Sequence, residues 1–289
     1  MKKIFNRYTV IFLALTVYLI LYRTMWRVGF PDFYASVIGC AFVYLVIRMT
    51  RSELATENTG KKMELLPFLV FLGLTFLGQE LMQLVNFLLE ALLNGFGKTM
   101  YETEEVVQQR ELFDGTFAKL TTLFWPVVLG PIVEELLYRS YAAKNFEREG
   151  GKVLAILLAA IVFSAGHGRF YLMTNTFISG LVLGYVFFEY GLKWACIFHV
   201  INNLGIVGID LLLCVIFGQT TGTLIMDIVG ILFAIFGVGA VILKCRETAA
   251  YIRDNRAPAG EYKKAFLNIG FFAMLAYNLY KCVVHIVPM

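Results

Sequence analysis

The segment PIVEELLYRSY, residues 131–141, sets two adjacent glutamates and an arginine into a chain that is otherwise strongly apolar. It overlaps the end of a hydrophobic stretch, LFWPVVLGPIV, residues 123–133. An ionisable side chain at the centre of a bilayer costs on the order of 2.5–3.5 kcal/mol on insertion scales. Glu134, Glu135 and Arg139 therefore each need a partner or a function. Gly130 and Pro131 mark a point just before them where a helix can kink or loosen its backbone.

The composition is typical of a membrane protein. Of the 289 residues, 59% are hydrophobic and only 16% are charged, whereas soluble domains carry about 25% charged residues. The net charge of +4 is small, and the basic residues form short clusters between apolar runs, so we expect no nucleic-acid partner. The five cysteines lie singly without a CxxC pair, which predicts neither a disulfide framework nor a thiolate metal site.

Nine apolar segments are candidates for membrane-spanning helices, each of which needs about 20 residues. They are 8–22, 29–47, 65–94, 120–138, 152–168, 171–189, 192–217, 222–243 and 265–287. Because backbone groups in lipid must be hydrogen-bonded internally, we predict an all-α, polytopic transmembrane helical bundle of about eight to nine helices. Residues 1–289 then form a single integral membrane domain, with a motif-bearing core at about 120–217.

The distribution of lysine and arginine predicts the orientation in the membrane. If the N-terminus is cytoplasmic, the inner segments hold most of these residues, above all the connection 244–264. The longest outer loop, 95–119, is acidic on balance. The positive-inside rule therefore predicts a multi-pass protein of the cell membrane with a cytoplasmic N-terminus and, for an odd number of helices, an outer C-terminus. The compact size and short loops favour a prokaryotic source.

The polar residues of the apolar segments fall into pairs with helical spacing. Glu135 and Arg139 are separated by four residues and can form an ion pair, whereas Glu134 points about 100° away from Glu135. Of the three histidines, His167 and His199 lie in separate apolar segments. The third, His285, lies near a helix end and receives no role.

These residue types indicate either of two hydrolytic chemistries. A carboxylate beside an imidazole can hold and deprotonate a water molecule. His199 and Asn203 share a helix face and can together stabilise an oxyanion. Alternatively, Glu134, His167 and His199 form a metal-ligand set of the kind that binds catalytic zinc. The residues alone leave both chemistries open.

Three motifs in chain order resemble a known family. EELLYR fits EExxxR, FSAGH fits FxxxH and HVINN fits HxxxN, over roughly residues 131–203. In this order on separate hydrophobic segments, they resemble the CAAX prenyl protease and bacteriocin-processing family of intramembrane endopeptidases, also called the Abi family. HExxH is absent, which removes the zincin signature.

The resemblance implies a role for each motif residue. Glu134 and His167 would activate the attacking water, while His199 and Asn203 would stabilise the tetrahedral oxyanion. Glu135 and Arg139 would brace the site. The resemblance favours a metal-free glutamic peptidase without a cofactor, with zinc as the alternative. Ser140 stands where the family commonly has glycine, which concerns the local backbone.

The predicted topology leaves one conflict, which a longer helix resolves. The orientation above puts Glu134 and His199 in the cytoplasmic halves of their helices and His167 near the outer face. We therefore predict a fourth helix from about 120 to 148, with Glu134 near its midpoint.

The expected partners are membrane lipid and a membrane-associated peptide or protein substrate, either a prenylated tail or a bacteriocin-like peptide.

Two other classes of protein are compatible with parts of the pattern. A non-enzymatic immunity or scaffold protein could retain the fold and use the motif residues for stability. A proton-coupled transporter could also use intramembrane Glu and His, but the internal repeat typical of transporters is missing.

In the third segment, Gln79, Gln83 and Asn86 form a polar stripe, which predicts hydrogen bonds between helices or, alternatively, a wall of the substrate cavity.

Overall fold

The structure, a computed structural model, describes residues 6–29, 32–52, 54–55, 59–100, 124–284 and 286–288. Almost all of them are helical. The helices are α1 Arg7–Arg27, α2 Asp32–Thr50, α3 Leu65–Asn94, α4 (residues 125–150), α5 (152–167), α6 Phe170–Tyr190, α7 (192–217), α8 Gln219–Leu243, α9 Cys245–Asp254, α10 Glu261–Phe266 and α11 Ile269–Val283. Two short strands, β1 Lys98–Met100 and β2 Ile286–Pro288, pair antiparallel.

Helices α4 and α5 form an antiparallel pair that reverses at Gly151. This glycine has φ 74° and ψ 174°, a backbone conformation that other residues rarely adopt. A side chain there would also approach the carbonyl oxygen of Asn255. The rings of Tyr138 on α4 and Phe163 on α5 lie 5.4 Å apart between centroids, which fixes the two helices side by side.

The predicted all-α bundle is confirmed, since eight of the nine apolar segments fall on one helix each. The ninth, 265–287, runs from the end of α10 through α11 into β2. Residues 30–31, 120–123 and 285 of these segments lie outside the described residues. Five helical stretches are long and apolar enough to cross a membrane: Arg7–Met25, Leu65–Asn94, Val127–His167, Phe170–Tyr190 and Gln219–Leu243. The third of these stretches comprises α4 and α5 on either side of Gly151. Together they support a multi-pass membrane protein. The sequence did not predict the small β1–β2 ribbon or the helices α9 and α10 in the connection 244–264.

The bundle has two distinct ends. At one end, which we call the amino-terminal face, Asn6 donates a hydrogen bond to the carbonyl oxygen of Lys264 (3.4 Å), and Val153 donates to that of Asn255 (3.2 Å). At the other end, the ribbon face, β1 follows α3 and β2 follows α11. Because α5 starts at the amino-terminal face, its last residue, His167, lies toward the ribbon face.

The core holds α1 against α4, α5 and α11. Tyr8 and Phe12 of α1 pack on Phe146 of α4, with ring centroids 5.9 and 5.3 Å apart, and Phe12 also contacts Phe271 of α11. Phe12 and Phe146 are fully buried. Large aromatic side chains contribute most of the buried apolar area in such an interior. This packing fixes α1 beside the two helices that carry the first two motifs.

Helix α8 packs on α3 through small residues. A methyl group added at Gly73 or Gly237 would collide with the backbone of the other helix. Close backbone approach through glycine is a common form of helix association in membranes.

The polar stripe of α3 forms interhelical hydrogen bonds, as predicted. Gln83 donates to Asp227 of α8 (3.1 Å), Asn175 of α6 donates to Gln79 (3.0 Å), and Asn86 donates to the carbonyl oxygen of Tyr171 (3.0 Å). In the described structure these side chains join helices.

Candidate active site

The hydrogen bonding of α4 changes on both sides of the glutamate pair. Trp125–Leu129 and Glu135–Ala143 are π-helical, and the five residues Gly130–Glu134 between them are α-helical. Pro131 lacks an amide hydrogen, which weakens the ladder just before the first glutamate. π-Helical turns are rare and occur often at functional sites. The loosened backbone was expected at Gly130 and Pro131, but these two residues are α-helical and the π-helical turns lie on either side of them.

Ser140 lies inside the second π-helical segment and anchors the chain after α2. Its hydroxyl donates to the carbonyl oxygen of Ala55 (2.8 Å), and the amide of Ala55 donates to the Ser140 carbonyl oxygen (3.1 Å). A glycine would offer only the second of these hydrogen bonds. The serine therefore adds a contact at this position, in a backbone that remains helical.

Glu135 is the centre of a fully buried ion network. Its Oε1 lies 3.1 Å from an Nη atom of Arg139 and 2.8 Å from Nδ1 of His199 on α7, and the side chains of both Glu135 and Arg139 have no exposed surface. The predicted pairing of Glu135 with Arg139 is confirmed. Buried charges need such pairing, because a single charge loses its hydration without compensation. The contact between Glu135 and His199 was not predicted.

One aromatic ring touches most of this network. The Arg139 guanidinium lies over the ring of Phe163 at 4.4 Å, a cation–π contact. The same ring meets the imidazoles of His167 and His199 edge to face, at 5.0 and 5.7 Å between centroids. Phe163 belongs to the FxxxH motif, but no role was predicted for it. Its position between two imidazoles and a guanidinium is a result of the packing.

Glu134 has different surroundings from its neighbour. Its side chain is 30% exposed, and its Oε2 lies 3.7 Å from Nε2 of His199, which is too long for a direct hydrogen bond. A single water molecule can bridge two polar atoms at such a separation. If Nδ1 of His199 donates to the Glu135 carboxylate, Nε2 is the ring nitrogen left to face Glu134.

His167 is held in a similar way at the end of α5. Its Nδ1 lies 2.9 Å from the carbonyl oxygen of Phe163, so it can donate there and leave Nε2 free to accept a proton. Both motif imidazoles thus use Nδ1 for an oxygen acceptor inside the protein.

Glu134 and His167 line one cavity of about 180 Å³. Half of its wall comes from α4 and α5, and the other half from the first two helices. The lining residues are Gly130, Val133, Glu134, Tyr138, Gly166 and His167, with Tyr18, Leu19, Tyr22, Arg23 and Ser36 opposite them. No function was predicted for α1 or α2, because the residues they contribute match no motif.

The position of the cavity corrects one expectation about topology. Glu134 was expected in the half of its helix next to the amino-terminal face. Instead it lies ten residues into α4, whose amino end lies toward the ribbon face, and it shares the cavity with His167 at the end of α5. The predicted long fourth helix is confirmed, since α4 runs without a break from residue 125 to residue 150. That length brings Glu134 level with His167.

Asn203 lies one helical turn after His199 and is partly buried. It is the last residue before α7 becomes π-helical over Leu204–Ile209. It does not line the cavity that Glu134 and His167 share. The four motif residues Glu134, His167, His199 and Asn203 thus come from three helices. Glu134 is the one that lies near His199 and also lines the cavity with His167.

The three side chains considered as alternative zinc ligands do not converge on one point in this geometry. Among the residues that the structure describes, no three His, Cys, Asp or Glu side chains come close enough together to hold a metal ion. As they are placed, Glu134, His167 and His199 are too far apart to meet this requirement.

The fold and the site define a class: a helical membrane protein with an acid–imidazole centre inside its bundle. Residues 116–205 match the family described as type II CAAX prenyl endopeptidase, Rce1-like. The matched segment covers all three motifs, and it confirms the resemblance to the CAAX protease family. No curated protein and no solved structure matches the chain. The matched segment is thus similar to a family of membrane peptidases, and the long apolar helices support a multi-pass membrane protein.

Proposed function

We propose that the protein is an intramembrane endopeptidase in which Glu134 and His167 activate the attacking water. The observation that carries this proposal is the difference between the two adjacent glutamates. Glu135 is in contact with Arg139 and His199, whereas Glu134 faces a cavity together with His167. A general base must reach a water molecule and a substrate, and Glu134 is the carboxylate that meets this requirement.

The proposed reaction needs no atom beyond water and the peptide. Glu134 takes a proton from water while the oxygen attacks the scissile carbonyl carbon, with His167 holding the water. The carbonyl oxygen then carries the negative charge, and His199 and Asn203 stabilise it through hydrogen bonds. When the C–N bond breaks, the proton on Glu134 passes to the leaving amine. Glu135 and Arg139 keep His199 in position throughout.

The substrate would be a membrane-associated peptide or protein, and the family's description makes a prenylated CAAX peptide the natural first probe. An unmodified hydrophobic peptide serves as the second probe, since a bacteriocin-like peptide fits the same site.

The test is the variant Glu134→Gln in the purified full-length protein. The amide has the shape of the acid but cannot take the proton, so we expect peptide hydrolysis to fall by at least about a hundredfold. The melting temperature should stay nearly unchanged, because Glu134 has no ion pair within hydrogen-bonding distance. Wild-type protein that cleaves neither probe would favour a non-enzymatic immunity or scaffold protein.

A chelator distinguishes the two hydrolytic chemistries. We expect the wild-type rate to be the same with and without chelator. Activity that disappears with chelator and returns with zinc would overturn the metal-free mechanism and assign Glu134, His167 and His199 to the metal.

A further inference from the structure

The cavity beside Glu134 contains a cation that none of the three motifs explains. Arg23 on α1 lines this cavity, and one of its Nη atoms donates to the carbonyl oxygen of His167 (3.3 Å). Arg23 lies outside the segment 116–205 that matches the family.

The guanidinium of Arg23 has capacity for a further ligand. It has five N–H donors in a planar fork. One is used at the carboxyl end of α5, and the Tyr22 ring lies 5.8 Å away. Among the described side chains, no carboxylate lies within ion-pair distance of Arg23, Glu134 included. A partly buried cation inside a membrane protein is costly without an anion.

From these contacts we infer that Arg23 binds a carboxylate of the peptide substrate. This rests on the proposed peptidase function. A guanidinium pairs with a carboxylate through two parallel hydrogen bonds, and carboxylates are the anions that an unmodified peptide can supply. They come from two sources, the C-terminus and the side chains of Asp and Glu.

The size of the cavity limits where that carboxylate lies along the substrate. Arg23 and Glu134 line the same space of about 180 Å³, so a group bound by Arg23 is close in sequence to the bond under attack. Arg23 thereby selects which bond reaches Glu134. It is a specificity-determining residue, and Glu134 and His167 remain responsible for the chemistry.

Matched peptides test this inference in the full-length protein reconstituted in vesicles of neutral lipid. One pair of quenched peptides differs only in a C-terminal carboxylate or carboxamide. A second, amidated pair differs only in Glu or Gln near the scissile bond. We expect wild type to prefer the acid member of one pair by about tenfold to a hundredfold in kcat/KM, mainly through KM, as charge-assisted hydrogen bonds allow. The pair that shows the preference identifies the source of the carboxylate.

The variant Arg23→Gln should bring that ratio close to one by raising KM for the acid peptide far more than for the amide peptide. Arg23→Lys should keep part of the preference, because the charge remains. Arg7→Gln removes the same charge from the other end of α1, where Arg7 pairs with Glu149, and should leave the ratio unchanged.

Several results would overturn the inference. An equal loss for acid and amide peptides in Arg23→Gln would mean that Arg23 only positions His167 through its carbonyl oxygen. An unchanged ratio would mean that the carboxylate binds elsewhere. An effect that appears only after anionic lipid is added would assign Arg23 to a lipid headgroup. Failure of the peptidase proposal itself looks different, because wild type would then cleave no peptide or Glu134→Gln would retain full activity.

Discussion

Glu134 and Glu135 are neighbours in sequence and chemically identical, yet they lie in two different regions of the molecule. Glu135 belongs to a dry network with Arg139 and His199, and its side chain is fully buried. Glu134 faces a cavity and lies 3.7 Å from the other nitrogen of the same imidazole. The rotation of about 100° between neighbouring helix residues is enough to separate a structural carboxylate from one that can react.

The largest expected effect on folding concerns the dry region. Arg139→Leu leaves Glu135 buried without its cation, so we expect a loss of about 3–5 kcal/mol in the free energy of unfolding. Chemical denaturation in detergent micelles measures it, with Glu134→Gln as the matched variant from the cavity. A loss below about 1 kcal/mol in Arg139→Leu would contradict the described burial. The double variant Glu135→Gln with Arg139→Met should recover part of the stability, because neither buried charge remains.

A smaller effect is expected where the two regions meet, at Phe163. Phe163→Leu removes the aromatic surface that contacts both imidazoles and the guanidinium, so we expect kcat to fall about tenfold while KM changes less. Phe146→Leu is the matched control, since this ring is equally buried but packs on Tyr8 and Phe12, remote from both histidines. Equal losses of kcat in the two variants would show that general packing, rather than contact with the histidines, is responsible.

The smallest effect is expected at the exposed counterpart of the buried ion pair. Arg7 and Glu149 lie 3.3 Å apart with side chains 35% and 37% exposed. Because water screens such a pair, Arg7→Ala should cost less than about 1 kcal/mol in the same denaturation experiment. A loss as large as that of Arg139→Leu would mean that burial does not explain the difference between the two pairs.

The local part of the site was predictable from the sequence because it depends on helical spacing. The four-residue separation of Glu135 and Arg139 predicted their ion pair, and apolar segment lengths predicted the helices. The length of α4 followed from the requirement that Glu134 and His167 meet. Each of these inferences needs only the periodicity of one helix or the thickness of a bilayer.

The rest of the site depends on contacts between distant parts of the chain. No spacing rule relates Arg23 to His167, since they lie on helices whose packing is set by aromatic residues such as Phe12. The link between Glu135 and His199 likewise depends on how α7 lies against α4. The β1–β2 ribbon was missed because three-residue strands carry too little alternation to be recognised.

That ribbon determines how the two ends of the chain are arranged. Pairing of Lys98 with Pro288 ties the end of the chain to the exit of α3, whereas Asn6 touches Lys264 at the opposite end of the bundle. Labels placed at Asn6 and at Pro288 would therefore lie at opposite ends of the bundle, and a bulky label at Pro288 would crowd a paired strand.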